Sequence, residues 1–169
     1  MSMMSIRAAT PRDRDAIRRV EEHAFGQQAE AGLVDALVGD GDTVLELVAV
    51  DEGQVVGHVL FSRLHVRNGA KKFAAVALAP LAVEPSFHGT GIGGALVREA
   101  HRRLKEAGET LSIVLGDPAY YGRFGYTHAR AAKFESEYQG EALQALVWGD
   151  APESGRLVYA AAFGTALAA

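Results

Sequence analysis

Apolar and polar positions follow two rhythms along this chain, and the rhythm changes element by element. Ile6 to Ala9 reads as a short strand. Thr10-Pro11-Arg12-Asp13 then predicts a helix start, with Thr as N-cap, Pro at the first helical position and an acid in the first turn. Ile17, Val20 and Ala24 follow at helical spacing, and Leu33, Val34, Leu37 and Val38 mark a second helix that Gly39-Asp40-Gly41-Asp42 ends. Two runs rich in β-branched residues come next, Val44 to Val50 and Val55 to Val66. The break between them, Asp51-Glu52-Gly53-Gln54, predicts an antiparallel hairpin.

A further strand runs from about Ala74 to Val83, with Pro80 inside it. Proline cannot donate to a ladder, so Pro80 marks an edge or a bulge. Gly91 to Ala107 predicts a helix with Ile92, Ala95, Leu96, Ala100 and Leu104 on one face and Gly108 as its stop. Thr110 to Leu115 is the next strand, and the strand–helix–strand order makes it parallel to Ala74–Val83 through a right-handed crossover. A short helix around Pro118 to Phe124 follows. The chain ends in strand-like material, of which Leu157 to Phe163 is the clearest piece. The predicted fold is a mixed α/β (α+β) sheet, antiparallel first, parallel at one central crossover and antiparallel at the end.

Composition narrows the function. A chain of 169 residues fits one domain, spanning 1–169, with a substantial core. Net charge is −4 and both signs are interspersed, so no basic footprint for nucleic acid stands out. The chain has no cysteine, which removes disulfides, thiolate nucleophiles and Cys-based zinc sites. No Cys/His cluster offers a metal site, and none is expected. The start, MSMMSIRAATPRDRD, lacks the continuous apolar core of a secretory signal. The end, LVYAAAFGTALAA, is too short to span a bilayer. A cytoplasmic protein without a membrane partner is the expectation.

The stretch LAPLAVEPSFHGTGIGGALVREA carries the candidate chemistry. Four glycines fall in the six positions from Gly89 to Gly94, at the entrance of a helix that glycine does not favour. The first amides of a helix lack intrahelical acceptors, and the dipole adds positive character there. Glycines let an anion such as a phosphate approach that backbone closely. A tight helix–strand turn would use the same residues. A P-loop is excluded because no Gly-Lys-Ser/Thr follows. Gly89, Gly91 and Gly94 do spell the dinucleotide fingerprint, but Glu84-Pro85-Ser86-Phe87-His88 separate it from the strand it should directly follow.

A third phosphate loop fits better. LAVEPSFHGTGIGGALVREA resembles the coenzyme-binding motif of the GNAT family of acetyl-CoA-dependent N-acetyltransferases, of form Q/R-x-x-G-x-G/A after a strand, with His88, Gly91 and Gly93 at the defining positions. LGDPAYYGRFGY resembles the family's later segment of form N-x-x-a-x-x-F-Y-x-x-x-G-F. There Asp117 stands at the Asn position, Tyr120 at the Phe, Tyr121 at the Tyr and Gly125-Tyr126 at the Gly-Phe. The wording of this second segment is most similar to a bacterial subgroup of N-acetyltransferases. His88 departs from Gln or Arg, and Asp117 replaces an amide donor with a carboxylate.

The resemblance implies that acetyl-CoA lies between the two parallel strands. Backbone of Leu81, Ala82 and Val83 would pair with its pantetheine arm, and His88, Gly89, Thr90, Gly91, Ile92, Gly93 and Gly94, with Asp117, would line the phosphate end. It implies transfer of acetyl to a primary amine, with Tyr121 as general acid and a small-molecule or peptide acceptor. Homodimerisation is common in the family. The residues leave the base open: Glu84, just past the strand end, is the best-placed candidate, while Glu46 and His58 sit on the hairpin and Glu22 and His23 at the end of the first helix. For His58 a hydrogen-bonded sheet histidine is the expectation, and for Glu22 and His23 a solvated helix-end pair. An idle acyl-CoA-binding sensor and a dinucleotide-binding domain are the alternative functions.

Overall fold

A computed structural model describes residues 4–167. The chain forms β1 (Met4–Ala8), α1 (Arg14–Phe25), α2 (Ala29–Gly39), β2 (Thr43–Asp51), β3 (Gln54–Asn68), β4 (Lys71–Val83), α3 (Ile92–Glu106) and β5 (Leu111–Leu115). It continues with α4 (Pro118–Tyr121), α5 (His128–Ala131), β6 (Phe134–Glu135), β7 (Leu143–Val147), β8 (Gly155–Val158) and α6 (Ala161–Leu167). The sheet runs β1-β2-β3-β4-β5-β7, and β8 adds to β3 at His65–Arg67, beyond the stretch of β3 that β2 covers. β1 to β4 are antiparallel neighbours, β4 and β5 are parallel, and β7 is antiparallel to β5. This is the mixed sheet with a central parallel crossover that the sequence predicts; the end of the chain departs from the expected antiparallel order, since β6 pairs with β8 in parallel, Phe134 opposite Gly155.

Strand alternation sends residues to two helical layers. Leu47 and Ala49 on β2 face α3 with Val59, Phe61, Leu96 and Ala100, while Val48 between them joins Ile17, Val20, Leu37 and Leu60 under α1 and α2. The turn between β2 and β3 holds Glu52 at φ 50 and Gly53 at φ 79, the positive-φ pair that a two-residue hairpin of this twist requires. Thr10 does cap the first helical turn. Its amide donates to Asp13 Oδ2 at 2.8 Å, and Asp13 also pairs with Arg7 at 2.7 Å.

Pro80 meets both parts of its expectation. β4 pairs with β5 only as far as Leu78, so Pro80 sits where that edge of β4 has no strand partner among the described residues, and the β3–β4 register shifts between Val59 and Phe61, opposite Ala79–Pro80. The end of the chain needs correction. Strand pairing stops at Val158, and Ala161–Leu167 is helical. Apolar content does not separate strand from buried helix, and the alanine-rich run favours the helix. That helix packs against α2, with Ala162 and Phe163 in the core beneath it.

Candidate active site

The site begins where β4 and β5 part. Their pairing is limited to Val76–Leu78 against Ser112–Val114. Beyond Leu78 and the bulge, β4 pairs again with β3 through Leu81, Ala82 and Val83, but its other edge has no strand partner among the described residues. Alternate N–H and C=O groups of a strand point to opposite edges, so backbone donors and acceptors of this segment face the gap. A cleft of about 670 Å³ fills that gap. It is lined by Leu81, Ala82 and Val83 from β4 and by Ala24 and Phe25 from the end of α1. Across it stand the α3 entrance and Asp117, Tyr120, Tyr121 and Arg123.

The α3 entrance is built for close approach. Gly91 is the N-cap at φ 85, and Gly89 has φ 79, a region that costs other L-residues roughly 1–2 kcal/mol. His88, Gly89, Gly91, Ile92, Gly93 and Gly94 all line the cleft, whereas Thr90 turns its hydroxyl to the Phe87 carbonyl. A Cβ on Gly93 would stand 2.6 Å from the Tyr120 hydroxyl, so this glycine admits the ring to the helix entrance. His88 Nε2 donates to the Val83 carbonyl at 2.8 Å. The imidazole therefore closes the loop onto β4 and, when neutral, has only an acceptor nitrogen left for a ligand.

Asp117 has a structural explanation. Its Oδ1 accepts from the Ala119 amide at 2.9 Å, capping α4 with Pro118 in the first position. Asp and Asn serve equally well as N-caps, so the departure from the family pattern leaves this turn intact. Tyr121 follows four residues after Asp117 and is half-buried. A Cβ on Gly116 would lie 2.5 Å from its ring, so the end of β5 must be glycine for the ring to cross it. Burial, with Tyr120 beside it, pushes the Tyr121 phenol up to about 12. It is protonated at neutral pH. Tyr126 is committed elsewhere, with its hydroxyl bonded to Ser112 Oγ at 2.7 Å and His101 Nε2 at 2.9 Å in the core.

Glu84, the candidate base, does not line this cleft. His23 Nδ1 bonds both of its oxygens at 3.0 Å, and Arg19 lies 3.9 Å away, so Glu84 ties the end of β4 to α1. His23 is thus partnered across the fold and not with Glu22. Glu84 lies four residue steps along the chain from Pro80, about 13 Å at ~3.3 Å per residue, which places Glu84 toward the helix-entrance end of the cleft.

Glu46 and His58 do not face the cleft. His58 is fully buried and donates from Nδ1 to Glu21 Oε2 and from Nε2 to Glu46 Oε2, each at 2.7 Å. Arg14 Nη2 completes the chain at Glu46 Oε1. Burial alone would push the imidazole down, but the hydrogen bonds and charges of the two carboxylates raise it. The sheet-histidine expectation is met, with an ionic chain that runs from α1 through β3 to β2.

A second cavity of about 390 Å³ lies at the same point of divergence. It shares Phe25, Leu81 and Tyr121 with the cleft and reaches back along Leu78, Ala79 and Pro80 of β4. Its far wall comes from Tyr138, Tyr159 and Phe163. The sequence offered no signal for this wall, because it depends on where the last helix folds back. It also gave none for Arg123, whose guanidinium lies 4.6 Å from the Tyr120 ring centroid and 5.4 Å from that of Phe124. Arg123 brings a permanent cation to the cleft that the glycine loop also lines.

A sheet splayed where its parallel neighbours β4 and β5 part, with a glycine-capped helix opening at the mouth of the gap, is the acyltransferase architecture that the sequence motifs implied. Comparison with known proteins gives the same class. Residues 5–129 match the profile of the acetyltransferase (GNAT) domain. The chain is 42% identical over 124 residues to the N-acetyltransferase YhbS of Escherichia coli, covering 73% of each chain. The crystal structure of E. coli YhbS in complex with CoA superposes with a TM-score of 0.89 at 34% identity, over 97% of this chain and 93% of that one. A GNAT acetyltransferase from Brucella melitensis, solved in complex with acetyl-CoA, superposes with a TM-score of 0.81 at 36% identity, over 95% and 98%. The chain belongs to the GNAT family of N-acetyltransferases.

The helix entrance makes a direct prediction. Gly91→Asp keeps a residue that tolerates positive φ better than most but sets a carboxylate where the amides face the cleft. Wild-type protein is stabilised by CoA through mass action on the native state. The variant should keep its circular dichroism spectrum and lose the CoA-induced rise in Tm. An equal rise in both proteins would place the phosphates elsewhere.

Proposed function

We propose that this chain transfers the acetyl group of acetyl-CoA directly to a primary amine. The observation that carries the reading is the unpaired edge of β4 from Ala79 to Val83, which ends at the glycine-capped entrance of α3 and has Tyr121 across the gap. The pantetheine arm adds to the free edge as a strand would, through Leu81, Ala82 and Val83. The pyrophosphate takes the amides from Gly89 to Gly94, with Arg123 as the cation. That order sets the thioester toward Pro80 and Tyr121. The related structures with CoA and acetyl-CoA support the same coenzyme.

The chemistry balances without a covalent enzyme intermediate. The amine, once it has lost a proton, attacks the thioester carbonyl. The C–N bond forms, the C–S bond breaks and its electron pair leaves on sulfur. Tyr121 gives its proton to the thiolate and regains one from the nitrogen by way of solvent. At neutral pH an alkylamine with a pKa near ~10 arrives mostly protonated, so a proton acceptor must act first. Glu84 lies toward the phosphate end, and its role in this reading is to fix α1 against β4.

The test is release of free CoA thiol from acetyl-CoA with a panel of amines, with the acetylated product identified by mass spectrometry. CoA binding with no acetylated amine across a broad panel would leave an idle coenzyme-binding module.

A further inference from the structure

We infer that the second cavity is the acceptor site and that it selects a small primary amine carried on an apolar body of about aromatic-ring size. This rests on the acetyl-transfer reading above and specifies its substrate class. The position of the cavity comes first. It opens at the divergence of β4 and β5, is walled by Pro80 and Gly116, and meets the coenzyme cleft at Leu81 and Tyr121. A molecule seated there can present one nitrogen to the thioester end of the cleft without displacing the coenzyme's backbone contacts.

The lining then states what fits. Five aromatic rings, Phe25, Tyr121, Tyr138, Tyr159 and Phe163, surround the space with aliphatic groups from α2, β4 and β5. Tyr138 and Tyr159 meet edge to face at 5.4 Å between centroids, and Tyr159 meets Phe163 at 5.5 Å, so the wall is braced before any ligand arrives. The volume of about 390 Å³ corresponds to about a dozen water-sized parcels of ~30 Å³. A sugar ring or a polyamine would bury several hydroxyls or ammonium groups against a mostly apolar lining, and each polar group left without a hydrogen bond is penalised, each charge more so. An alkyl or aryl body has no such cost.

Charge selects the head group. Glu30 is the charged side chain in the lining, and Gln27 Nε2 holds both of its oxygens at 3.0 and 3.1 Å. It attracts an incoming ammonium and disfavours carboxylated or phosphorylated amines. Tyr138, Tyr159 and Phe163 all lie beyond residue 129, where the match to the family domain ends. The wall is therefore built by the C-terminal segment, outside the two motifs that line the coenzyme cleft.

The test measures kcat/KM with acetyl-CoA for phenethylamine and hexylamine against spermidine, glucosamine, lysine and a peptide with a free N-terminus. The apolar amines should exceed the others by about tenfold or more. Tyr138→Ala should raise KM for phenethylamine by about tenfold while the Kd for CoA, read by thermal shift, stays the same. In the wild-type protein phenethyl alcohol, which lacks the amine, should inhibit competitively against phenethylamine and not against acetyl-CoA. Equal or better turnover of spermidine, glucosamine, lysine or the peptide would overturn the inference and leave acetyl transfer standing. CoA binding without acetylation of any amine would overturn the transfer reading and the inference with it.

Discussion

Tyr121→Phe should lower kcat by about 10–10³-fold and leave the affinity for acetyl-CoA nearly unchanged. The leaving group is a thiolate, and a free thiol has a pKa near ~8.5, so proton donation speeds departure without being indispensable. That argues for the lower part of the range that general acid catalysis spans. Burial raises the phenol to about 12, which keeps it protonated and makes it a reluctant acid. Its contribution is then largely a hydrogen bond to charge developing on sulfur, an interaction made in the transition state, so the loss falls on kcat and not on KM. Tyr120 is the internal control. Its hydroxyl points at Gly93 in the helix entrance. Tyr120→Phe should leave kcat close to wild type and change coenzyme affinity if it changes anything. If steady-state and single-turnover kinetics show the two variants exchanging these effects, Tyr121 is not the acid.

His58→Ala should cost about 3–5 kcal/mol of stability at neutral pH, because removing the centre of a buried ionic chain strands Glu21 and leaves Glu46 with Arg14 alone. A domain stable by about 5–15 kcal/mol would lose a large share of its margin. Glu21 and His58 are fully buried, and Glu46 nearly so. Glu21 has no second partner among the described residues: its Oε1 is buried without a hydrogen bond. Urea denaturation of both proteins measures the difference. Replacing Glu21 and His58 together by leucine should cost less than His58→Ala alone, since no charge on that side is then left unpaired.

The same chain sets a pH signature. The native imidazole holds its proton above the ordinary histidine value near ~6.5, so its stabilisation is complete below that value and is lost as pH rises through the native pKa. Glu46 acts on the acid side. Burial would raise its carboxyl, but His58 and Arg14 lower it, so its stabilisation is lost as pH falls below the ordinary carboxyl range. Urea midpoints of wild type should decline on the alkaline side of neutrality, and that slope should be absent in His58→Ala. A parallel slope in both proteins would assign the titration to another group.

Local pattern determined much of this molecule. The hairpin, the crossover helix and the glycine-capped helix entrance each follow from residues adjacent in the chain: a Glu52-Gly53 turn, an apolar stripe on α3, a run of glycines after a strand. Pro80 announced the bulge because a missing N–H is a property of one residue. The motif tyrosine was legible for the same reason, since α4 begins three residues before it at a capped proline.

Tertiary structure decided what joins residues far apart in sequence. No local signal places Glu21, His58 and Glu46 on one line, because their meeting depends on how α1 crosses the sheet. Glu84 looked available at a strand end, and only the approach of α1 commits it to His23. The last segment reads as strand on apolar content alone. Its alanines favour helix, and packing of α6 against α2 brings Phe163 beside Tyr159, against which Tyr138 also packs. The cleft between β4 and the α3 entrance was therefore readable from two contiguous motifs. The second cavity was not, because its wall is assembled from distant segments whose contact is driven by burial and not by neighbouring sequence.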